Sequence, residues 1–334
     1  MLHGYIEWGE SIWTKLNGIF SIAILDRKKN KIFLVRDHLG VKPLHYLIKG
    51  EKIYFGSDYN SFLNINDYNH SFNIPALSSY LSFRYVIGKQ TFYKNIFDVL
   101  PGSQITYNGE KTTENQYWDI PTEIEQDQGI EYYLSELDKL IDGSVKKQMI
   151  SDVPLGAFIS GGLDSSLLLS YIKKYKSNIK TYITGFEENG YNEFDYAETV
   201  ADHLNLFKPK KLKINQNEYI DAIEETIEYR GEPISVPHET AFLKMSKFMK
   251  QNISVVMSGE GADEMFAGYG RIFRSPHDFY VSKKPLVGKL NNYLTGDGST
   301  KIFSNPIDHF LSRYSWFTNE EKNDFLRKDI IKNN

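Results

Sequence analysis

The chain has 334 residues, of which 41% are hydrophobic and 25% are charged, and this balance excludes low-complexity, collagen-like and bulk disordered proteins. Its 39 basic and 43 acidic residues give a formal charge of −4, so neither nucleic acid nor an anionic membrane surface is expected as a partner. Cysteine is absent, which excludes disulfides, thiolate metal sites and thiol nucleophiles in this chain.

The N-terminal third is predicted to form antiparallel β structure, because short alternating or β-branched runs are separated by turn signals. The predicted strands are Ile19–Leu25, Lys31–Val35, Leu44–Ile48, Lys52–Phe55 and Gln104–Tyr107. The last strand runs into Asn108-Gly109, a strong hairpin signal. A polar stretch bounded by proline and glycine, residues 121–129, is the expected linker, so the expected domains are residues 1–120 and 130–334.

From Ile130 onward apolar residues recur at three and four, which predicts an amphipathic helix and the start of a second domain. The predicted strands there are Gly156–Ile159, Lys180–Thr184 and Ile253–Met257, and the predicted helices are Ser165–Tyr175, Asp195–Leu204, Glu218–Tyr229 and Glu239–Lys250. This alternation is typical of βαβ units. The expected fold class is therefore α/β, with a doubly wound, mostly parallel sheet preceded by an antiparallel β domain. The sequence after Arg271 is too irregular for assignment.

The segment Ser-Gly-Gly-Leu-Asp-Ser-Ser, residues 160–166, lies between a predicted strand and a predicted helix. Its paired glycines let backbone amides approach an anion, and the serine hydroxyls and the helix N-terminus add further donors. The pattern predicts a phosphate cradle that differs from the Walker A loop and from the dinucleotide fingerprint. Asp164 would repel phosphate unless a cation lay between them, so the loop implies Mg²⁺. The alternative is that Asp164 only caps the helix.

A second loop, Ser258-Gly259-Glu260-Gly261-Ala262-Asp263-Glu264, also follows a predicted strand directly. Because the carboxyl ends of parallel strands share one edge of a sheet, the two loops are expected to meet there. Asp263 would then be the second magnesium ligand opposite Asp164, and Ser258 and Gly259 would offer donors to a nucleotide. The alternative is a solvated acidic turn.

The two loops together resemble the synthetase domain of the glutamine-hydrolysing asparagine synthetases, and the first loop resembles the pyrophosphate loop of the N-type ATP pyrophosphatases. Supporting matches are the segments 36–44 (Arg-Asp-His-Leu-Gly-Val-Lys-Pro-Leu) and 151–156 and the pair Gly268-Tyr269. The resemblance implies an adenine nucleotide alpha hydrolase-like sheet, preceded by part of an Ntn-type glutamine amidotransferase domain.

The resemblance also implies ATP-dependent amide synthesis. Aspartate would attack ATP to give β-aspartyl-AMP and pyrophosphate, and ammonia derived from glutamine would displace AMP to give asparagine. The implied catalytic residues are Asp164, Glu260 and Asp263, with Asp164 and Asp263 holding Mg²⁺. The implied ATP-binding residues are Ile159, Ser160, Gly161, Gly162, Ser165, Ser166, Thr184, Ser258 and Gly259. A homodimer is compatible with the resemblance.

The chain departs from the family pattern at both ends. The family hydrolyses glutamine with an N-terminal cysteine and has a Lys- and Arg-rich segment in C-terminal helices, and this sequence shows neither. We therefore expect an internal part of a larger amidotransferase, or an incomplete gene model, without glutaminase activity. Two alternatives remain. One is amidation of another carboxylate, such as a surface polysaccharide sugar acid or a β-lactam precursor, which the insertion-like stretch 275–334 favours. The other is a non-catalytic ATP-binding chain.

Some residues outside the loops are also candidates for a structural or functional role. Arg36 and Asp37 are predicted to form a buried ion pair that braces the β domain against the second domain, with a substrate clamp as the alternative. Glu232, on a glycine-bounded turn, either lines the carboxylate pocket or ends a helix. The eight histidines are expected to be packing or surface groups, so no zinc site is expected. No apolar run approaches the roughly 20 residues of a membrane span and no signal peptide is visible, so a cytoplasmic location is expected.

Overall fold

The computed structural model describes residues 1–66, 68, 71–123, 126–188, 190, 192–283 and 303–326. They divide into two compact units. Unit 1 comprises the described residues within 1–124, 227–235 and 315–334, and unit 2 comprises those within 125–226 and 236–314. Each unit has buried apolar clusters of its own.

Unit 1 contains two antiparallel sheets, which confirms the predicted β structure. The four-stranded sheet has the order β1-β2-β6-β7, formed by Ser21–Asp26, Lys31–Arg36, Ser103–Tyr107 and Thr112–Gln116. The three-stranded sheet has the order β4-β3-β5, formed by Lys52–Gly56, His45–Lys49 and Ile96–Asp98. Asn108-Gly109 lies in the loop of the β6–β7 hairpin, in which Tyr107 pairs with Thr112.

Strand β2 is buried on both faces, because successive side chains of a strand point in opposite directions. Phe33 and Val35 pack with Trp13 in one cluster, whereas Leu34 packs with Leu44 in another. Along the chain, the helical elements of unit 1 precede, separate or follow the strands of these sheets. They are α1 (Leu2–Trp8), a 3₁₀ segment (Gly9–Lys15), α2 (Asn60–Leu63), α3 (Ile74–Phe83) and the helix Asn319–Phe325.

Unit 2 is built around a parallel four-stranded sheet with the order β10-β9-β8-β11, which confirms the predicted α/β class for this part. Its strands are β8 (Leu155–Phe158), β9 (Lys180–Phe186), β10 (Lys210–Ile214) and β11 (Val255–Met257). Strand β10 was not predicted, because its sequence Lys-Lys-Leu-Lys-Ile is dominated by lysine. Charged residues are common on edge strands, and β10 lies at one end of the sheet order.

Helices cover both faces of the parallel sheet. They are α4 (Ile130–Gln148), α5 (Leu163–Tyr175), α6 (Phe194–His203), α7 (Gln216–Arg230) and α8 (His238–Met249), and each predicted helix is found with its ends within two residues. Ile183 of β9 packs in one cluster with Leu169 of α5, whereas its neighbour Tyr182 packs in another with Met245 of α8. In the described part of the chain no helix combines the length and apolar character needed to cross a bilayer.

The apolar stripe of α4 is only partly buried. Val145 belongs to the unit 2 core and Ile141 packs against it, whereas Ile130, Leu134 and Leu140 are 67%, 53% and 68% exposed. The periodicity therefore identified the helix correctly, but it did not show which turns of the helix find a packing partner.

After Arg271 the chain forms helices that were not predicted from the amino-acid sequence. In unit 2 these are α11 (Ser275–Ser282), which follows the short helices α9 (Ala262–Met265) and α10 (Gly270–Phe273), and the helix Pro306–Tyr314; the helix Asn319–Phe325 lies in unit 1. Parts of the insertion-like stretch, residues 284–302 and 327–334, lie outside the described residues. Trp316, which follows in unit 1, donates its backbone N–H to the carbonyl of Ser82 at 2.8 Å.

Candidate functional site

A cavity of about 910 Å³ opens in unit 2 at the carboxyl ends of the parallel strands. Strand β8 lies between β9 and β11, so the loops that follow β8 and β11 leave adjacent strands. The first loop contributes Ser160, Asp164 and Ser165 to the cavity wall, and the second loop contributes the segment 258–264. The two serine-glycine loops therefore meet at one edge of the sheet, as the sequence predicted.

The two loops touch at Gly259. A Cβ atom added to Gly259 would lie 3.3 Å from the Cβ of Asp164 and 3.4 Å from the backbone nitrogen of Ser165. The backbone of the second loop thus reaches the first turn of α5 at close range, and a larger side chain would require the loops to separate.

Serine hydroxyls hold the first loop in shape. The Oγ atoms of Ser160 and Ser165 are 2.9 Å apart, and the backbone N–H of Gly162 donates to Ser160 Oγ at 3.1 Å. Ser166 Oγ donates to the carbonyl of Gly162 at 2.7 Å. The loop is therefore closed over the first turn of α5 by its own hydroxyl groups.

The predicted ATP-binding residues divide into two groups. Those that line the cavity are Ile159, Ser160, Ser165, Thr184, Ser258 and Gly259. Gly161, Gly162 and Ser166 belong to the same loop but are not among its lining residues. Gly162 directs its amide to Ser160 and Ser166 directs its hydroxyl to Gly162, so these groups support the loop.

Gly161 packs against the start of α6. Its φ is +84°, a backbone conformation that residues with a Cβ rarely adopt. An added Cβ would lie 2.5 Å from the Cβ of Tyr196 and 2.9 Å from the backbone nitrogen of Ala197. Glycine is therefore required here by the close approach of the loop to a helix, a reason that the sequence did not show.

Asp164 is the second residue of α5, which begins at Leu163 with Gly162 as its N-cap. The alternative prediction that Asp164 caps the helix is therefore wrong. Asp263 has a similar position in the first turn of α9, and both carboxylates line the cavity. Neither side chain accepts a hydrogen bond from the residues that the structure describes, so the oxygens of both are available to a ligand.

The donor set at these two residues suits a hard cation, since Mg²⁺ prefers carboxylate oxygens together with phosphate and water. Among the described residues no group of three or more histidine, aspartate or glutamate side chains is clustered for metal binding. A cation between Asp164 and Asp263 would thus take its remaining ligands from phosphate oxygens or water.

Residues that follow the acidic loop stabilise it. The hydroxyl of Tyr269 donates to Glu264 Oε1 at 2.9 Å, and the backbone N–H of Gly268 donates to the carbonyl of Asp263 at 2.9 Å. A Cβ at Gly268 would collide with the Asp263 carboxylate. The hydrogen bond to Glu264, followed by burial and by nearby carboxylates including Glu260, raises the pKa of Tyr269 to about 12. The phenol therefore remains a donor at neutral pH.

An aromatic wall completes the cavity, and sequence reasoning missed it. The ring of Phe242 stacks on Phe158 with centroids 5.7 Å apart, and His238 meets Phe242 edge-on at 5.3 Å. Tyr219 and Phe186 also line the cavity. The available signal was the four-residue spacing of His238 and Phe242 on α8, but helical spacing alone does not distinguish a core face from a cavity wall.

Arg36 and Asp37 do not line this cavity. Their side chains are hydrogen-bonded to the backbone of unit 1 and do not form the predicted ion pair with each other. The guanidinium of Arg36 donates to three backbone carbonyls of unit 1 at 2.8–3.0 Å. The buried carboxylate of Asp37 accepts from the backbone amides of Val41 and Lys42, both at 2.9 Å. Glu232 lines a different cavity, in unit 1.

Comparison with known proteins gives matches over both parts of the chain. Residues 136–320 match the asparagine synthase family and residues 1–118 match the glutamine amidotransferase domain family. The chain is 32% identical over 290 residues to asparagine synthetase (glutamine-hydrolysing) 1 of Bacillus subtilis (strain 168), covering 86% of the chain and 44% of that protein.

Two further relatives are more distant. A putative asparagine synthetase (glutamine-hydrolysing) 2 of Methanocaldococcus jannaschii is 27% identical over 349 residues, covering 98% of the chain and 66% of that protein. Amidase chry2 of Gibberella zeae is 26% identical over 289 residues, covering 79% of the chain and 42% of that protein. The chain spans about half the length of the curated relatives it matches. Because the asparagine synthase match extends over more than half of the 334 residues, the chain belongs to the asparagine synthase family.

Proposed function

We propose that unit 2 carries the nucleotide site of an ATP-dependent amide ligase, which forms an acyl-adenylate from aspartate and ATP and then transfers ammonia to it. The single observation behind this is the cavity at which the two serine-glycine loops meet, with the free carboxylates of Asp164 and Asp263 in its wall. The family match and relatives named asparagine synthetase support the same chemistry.

The cavity offers different surfaces to the two ends of ATP. Hydroxyls of Ser160 and Ser165 at the N-terminus of α5 are suited to the phosphates, because a helix N-terminus favours negative charge. The rings of Phe158 and Phe242 are suited to the adenine, which is a flat π-system. Thr184 and Ile159 line the cavity and would contact the adenylate.

Asp164 and Asp263 would hold Mg²⁺, and a cation held there would neutralise negative charge on the departing pyrophosphate. Glu260 lines the same cavity, and we assign it to the formation and consumption of the acyl-adenylate. These three side chains, together with the first-loop hydroxyls, would position the reactants rather than react covalently. Positioning and charge neutralisation are the main sources of rate acceleration in phosphate chemistry of this kind.

The reaction has two steps, and each step forms one bond and breaks another. A carboxylate oxygen of the substrate bonds to the α-phosphorus of ATP while the bond to pyrophosphate breaks. The nitrogen of ammonia then bonds to the acyl carbon while the bond to AMP breaks, and the nitrogen loses a proton. The products are asparagine, AMP and pyrophosphate.

For the chain as a whole we propose a glutamine amidotransferase-type domain at residues 1–120 and a synthetase domain at 130–334 with an adenine nucleotide alpha hydrolase-like sheet. We further propose a cytoplasmic location, with which a homodimer is compatible. With no cysteine in its 334 residues, the chain is not expected to hydrolyse glutamine itself. Incubation of the purified chain with glutamine should yield no glutamate above the uncatalysed background. Sustained glutamate release would overturn this part.

A second candidate function is the amidation of a carboxylate other than aspartate, such as a surface polysaccharide sugar acid or a β-lactam precursor. The match to a protein named an amidase, and not an asparagine synthetase, favours this second candidate. A third candidate, ATP binding without catalysis, differs from both in requiring no carboxylate substrate.

Pyrophosphate release from ATP separates these candidates. The purified chain would be assayed with Mg²⁺ and ATP in the presence of aspartate, of a sugar acid or β-lactam precursor, or of no carboxylate, and ATP binding would be measured in parallel by equilibrium dialysis. Release that depends on aspartate supports the ligase. Release with another carboxylate but not aspartate supports the second candidate, and binding without release supports the third. A chain that does not bind ATP would contradict all three.

The matched variants are Asp164→Asn and Asp195→Asn. Each aspartate is the second residue of its helix and is exposed, but only Asp164 lines the cavity. Asp164→Asn should reduce Mg²⁺-dependent pyrophosphate release by roughly 100-fold or more, because one carboxylate ligand is lost. Asp195→Asn should leave it unchanged. Normal turnover in Asp164→Asn would rule out the metal role.

A further inference from the structure

Unit 1 holds a second cavity, of about 520 Å³, which shares no lining residue with the nucleotide cavity. Its walls come from β3 and β5, from the residues that follow α3, and from the turn at 229–235. Several titratable side chains line it. They are Arg36, His45, Arg84, Arg230, Asp58, Asp98 and Glu232.

Several of these side chains are hydrogen-bonded or paired within the protein. The guanidinium of Arg36 donates to backbone carbonyls, as described above. His45 Nδ1 pairs with the carboxylate of Asp98, and Arg230 pairs with Glu232. The atoms engaged in these pairs are therefore less available to a ligand.

Arg84 is different. Its Nε atom is buried and has no hydrogen-bond partner among the described residues. Buried polar groups in proteins are nearly always hydrogen-bonded, so an unpaired guanidinium nitrogen in a cavity wall requires an explanation. Arg84 lines the cavity, so an acceptor bound there would lie beside its guanidinium.

The guanidinium of Arg84 is also held in place. Its Cζ lies 4.5 Å from the ring centre of Trp316, and the backbone of Trp316 is tied to Ser82 at 2.8 Å. The backbone of Arg84 has φ +64°, a left-handed conformation that is unfavourable for a side chain of this size. Arg84 is the residue that ends α3, and its backbone N–H donates to the carbonyl of Tyr80, so this conformation terminates the helix.

We propose that this cavity binds a small oxyanion, a carboxylate or a phosphate group, with the guanidinium of Arg84 as its main contact. A guanidinium is planar and presents paired donors that match the geometry of either group. Stacking on Trp316 orients that plane without using any of its hydrogen-bond donors. An oxyanion in the cavity would accept hydrogen bonds from the terminal nitrogens of this guanidinium.

The acidic residues of the cavity do not exclude an anion. The carboxylate of Asp98 is hydrogen-bonded to His45 Nδ1, Asp58 accepts from the backbone N–H of Asn60 at 2.7 Å, and Arg230 lies beside Glu232. Burial raises the pKa of Glu232, and the charge of Asp98 acts in the same direction, although Arg230 and His45 oppose the shift. A carboxyl group that protonates more readily repels a neighbouring anion less.

Isothermal titration calorimetry of the full 334-residue chain tests the proposal with two probes, sodium L-glutamate and inorganic phosphate. We expect saturable binding of at least one probe, and at least a tenfold weaker affinity in Arg84→Asn. Asparagine tolerates the left-handed backbone, so this variant should fold, as circular dichroism can verify. Arg27→Gln is the matched control, because Arg27 is exposed in the β1–β2 turn and does not line the cavity.

The two probes also identify the source of the oxyanion. Binding of glutamate alone indicates a carboxylate ligand, and binding of phosphate alone indicates a phosphate ligand. If Arg84→Asn does not fold, Arg84→Lys replaces it, since lysine keeps the charge but loses the planar donors and should also bind more weakly. Absence of saturable binding with both probes, or equal affinity in wild type and a folded Arg84 variant, overturns the proposal.

Discussion

Gly161 is a position at which a single added methyl group should be costly. Its φ of +84° lies in the left-handed region, where a residue with a Cβ loses about 1–2 kcal/mol. The added Cβ would lie 2.5 Å from the Cβ and 2.7 Å from the carbonyl carbon of Tyr196. Both atoms are fixed by the backbone of α6, so relief requires a shift of the helix or the loop, at about 1–3 kcal/mol. We therefore expect Gly161→Ala to lower the free energy of unfolding by about 2–5 kcal/mol.

A control separates the two contributions. Gly261 is in the same unit and has a similar φ of +94°, but an added Cβ there meets no described atom within 4 Å. Gly261→Ala should therefore cost only the backbone contribution, about 1–2 kcal/mol. The difference between the two variants measures the steric contribution of the contact with Tyr196.

Urea denaturation followed by far-UV circular dichroism provides the measurement, with the free energy of unfolding obtained by linear extrapolation. All four tryptophans, Trp8, Trp13, Trp118 and Trp316, are in unit 1, so their fluorescence reports on that unit. The loss in Gly161→Ala should be larger by circular dichroism than by fluorescence. Equal losses in the two glycine variants would refute the steric reasoning, and no loss in either would refute the positive φ angles.

Two further predictions concern hydroxyl and carboxyl groups. Tyr269→Phe removes the hydrogen bond to Glu264 and should weaken Mg²⁺-dependent ATP binding about three- to tenfold, whereas Tyr280→Phe, at an exposed position, should not. If equilibrium dialysis gives the same dissociation constant for ATP in Tyr269→Phe as in the wild type, this role of the phenol is contradicted. Because the folded-state pKa of Glu232 is raised above 4.5, its contribution to stability is present at acidic pH and is lost as pH rises. As pH rises above 4.5, the melting temperature of Glu232→Gln should therefore fall less than that of the wild type, and parallel pH profiles of the two proteins would argue against the raised pKa.

Much of the fold was predictable because its signals are local. The hairpin at Asn108-Gly109, the alternating strands before it and the helices α5 to α8 all have short-range patterns that indicate one structure. Strand β10 was missed because three of its five residues are lysine. A strand at the edge of a sheet needs little apolar surface of its own. Residues 210–214 therefore form a strand because they pair with β9, and not because of their composition.

The two loops of the candidate site were predictable for a related reason. Each is a run of glycine, serine and acidic residues directly after an apolar strand, and parallel strands bring their carboxyl ends to one edge. The role of Gly161 against α6 was not predictable, because the contact joins residues that no local pattern connects. The aromatic wall formed by Phe158 and Phe242 was missed for the same reason.

The amino-acid sequence by itself determined the class of each unit, most element boundaries, and the two loops that carry the family resemblance. Only the tertiary structure decided that Arg36 is satisfied by backbone carbonyls, that Glu232 lines a separate cavity, and that Arg84 retains an unpaired nitrogen. Periodicity and glycine spacing act over a few residues of backbone. The partners of a side chain depend instead on which distant segments pack beside it.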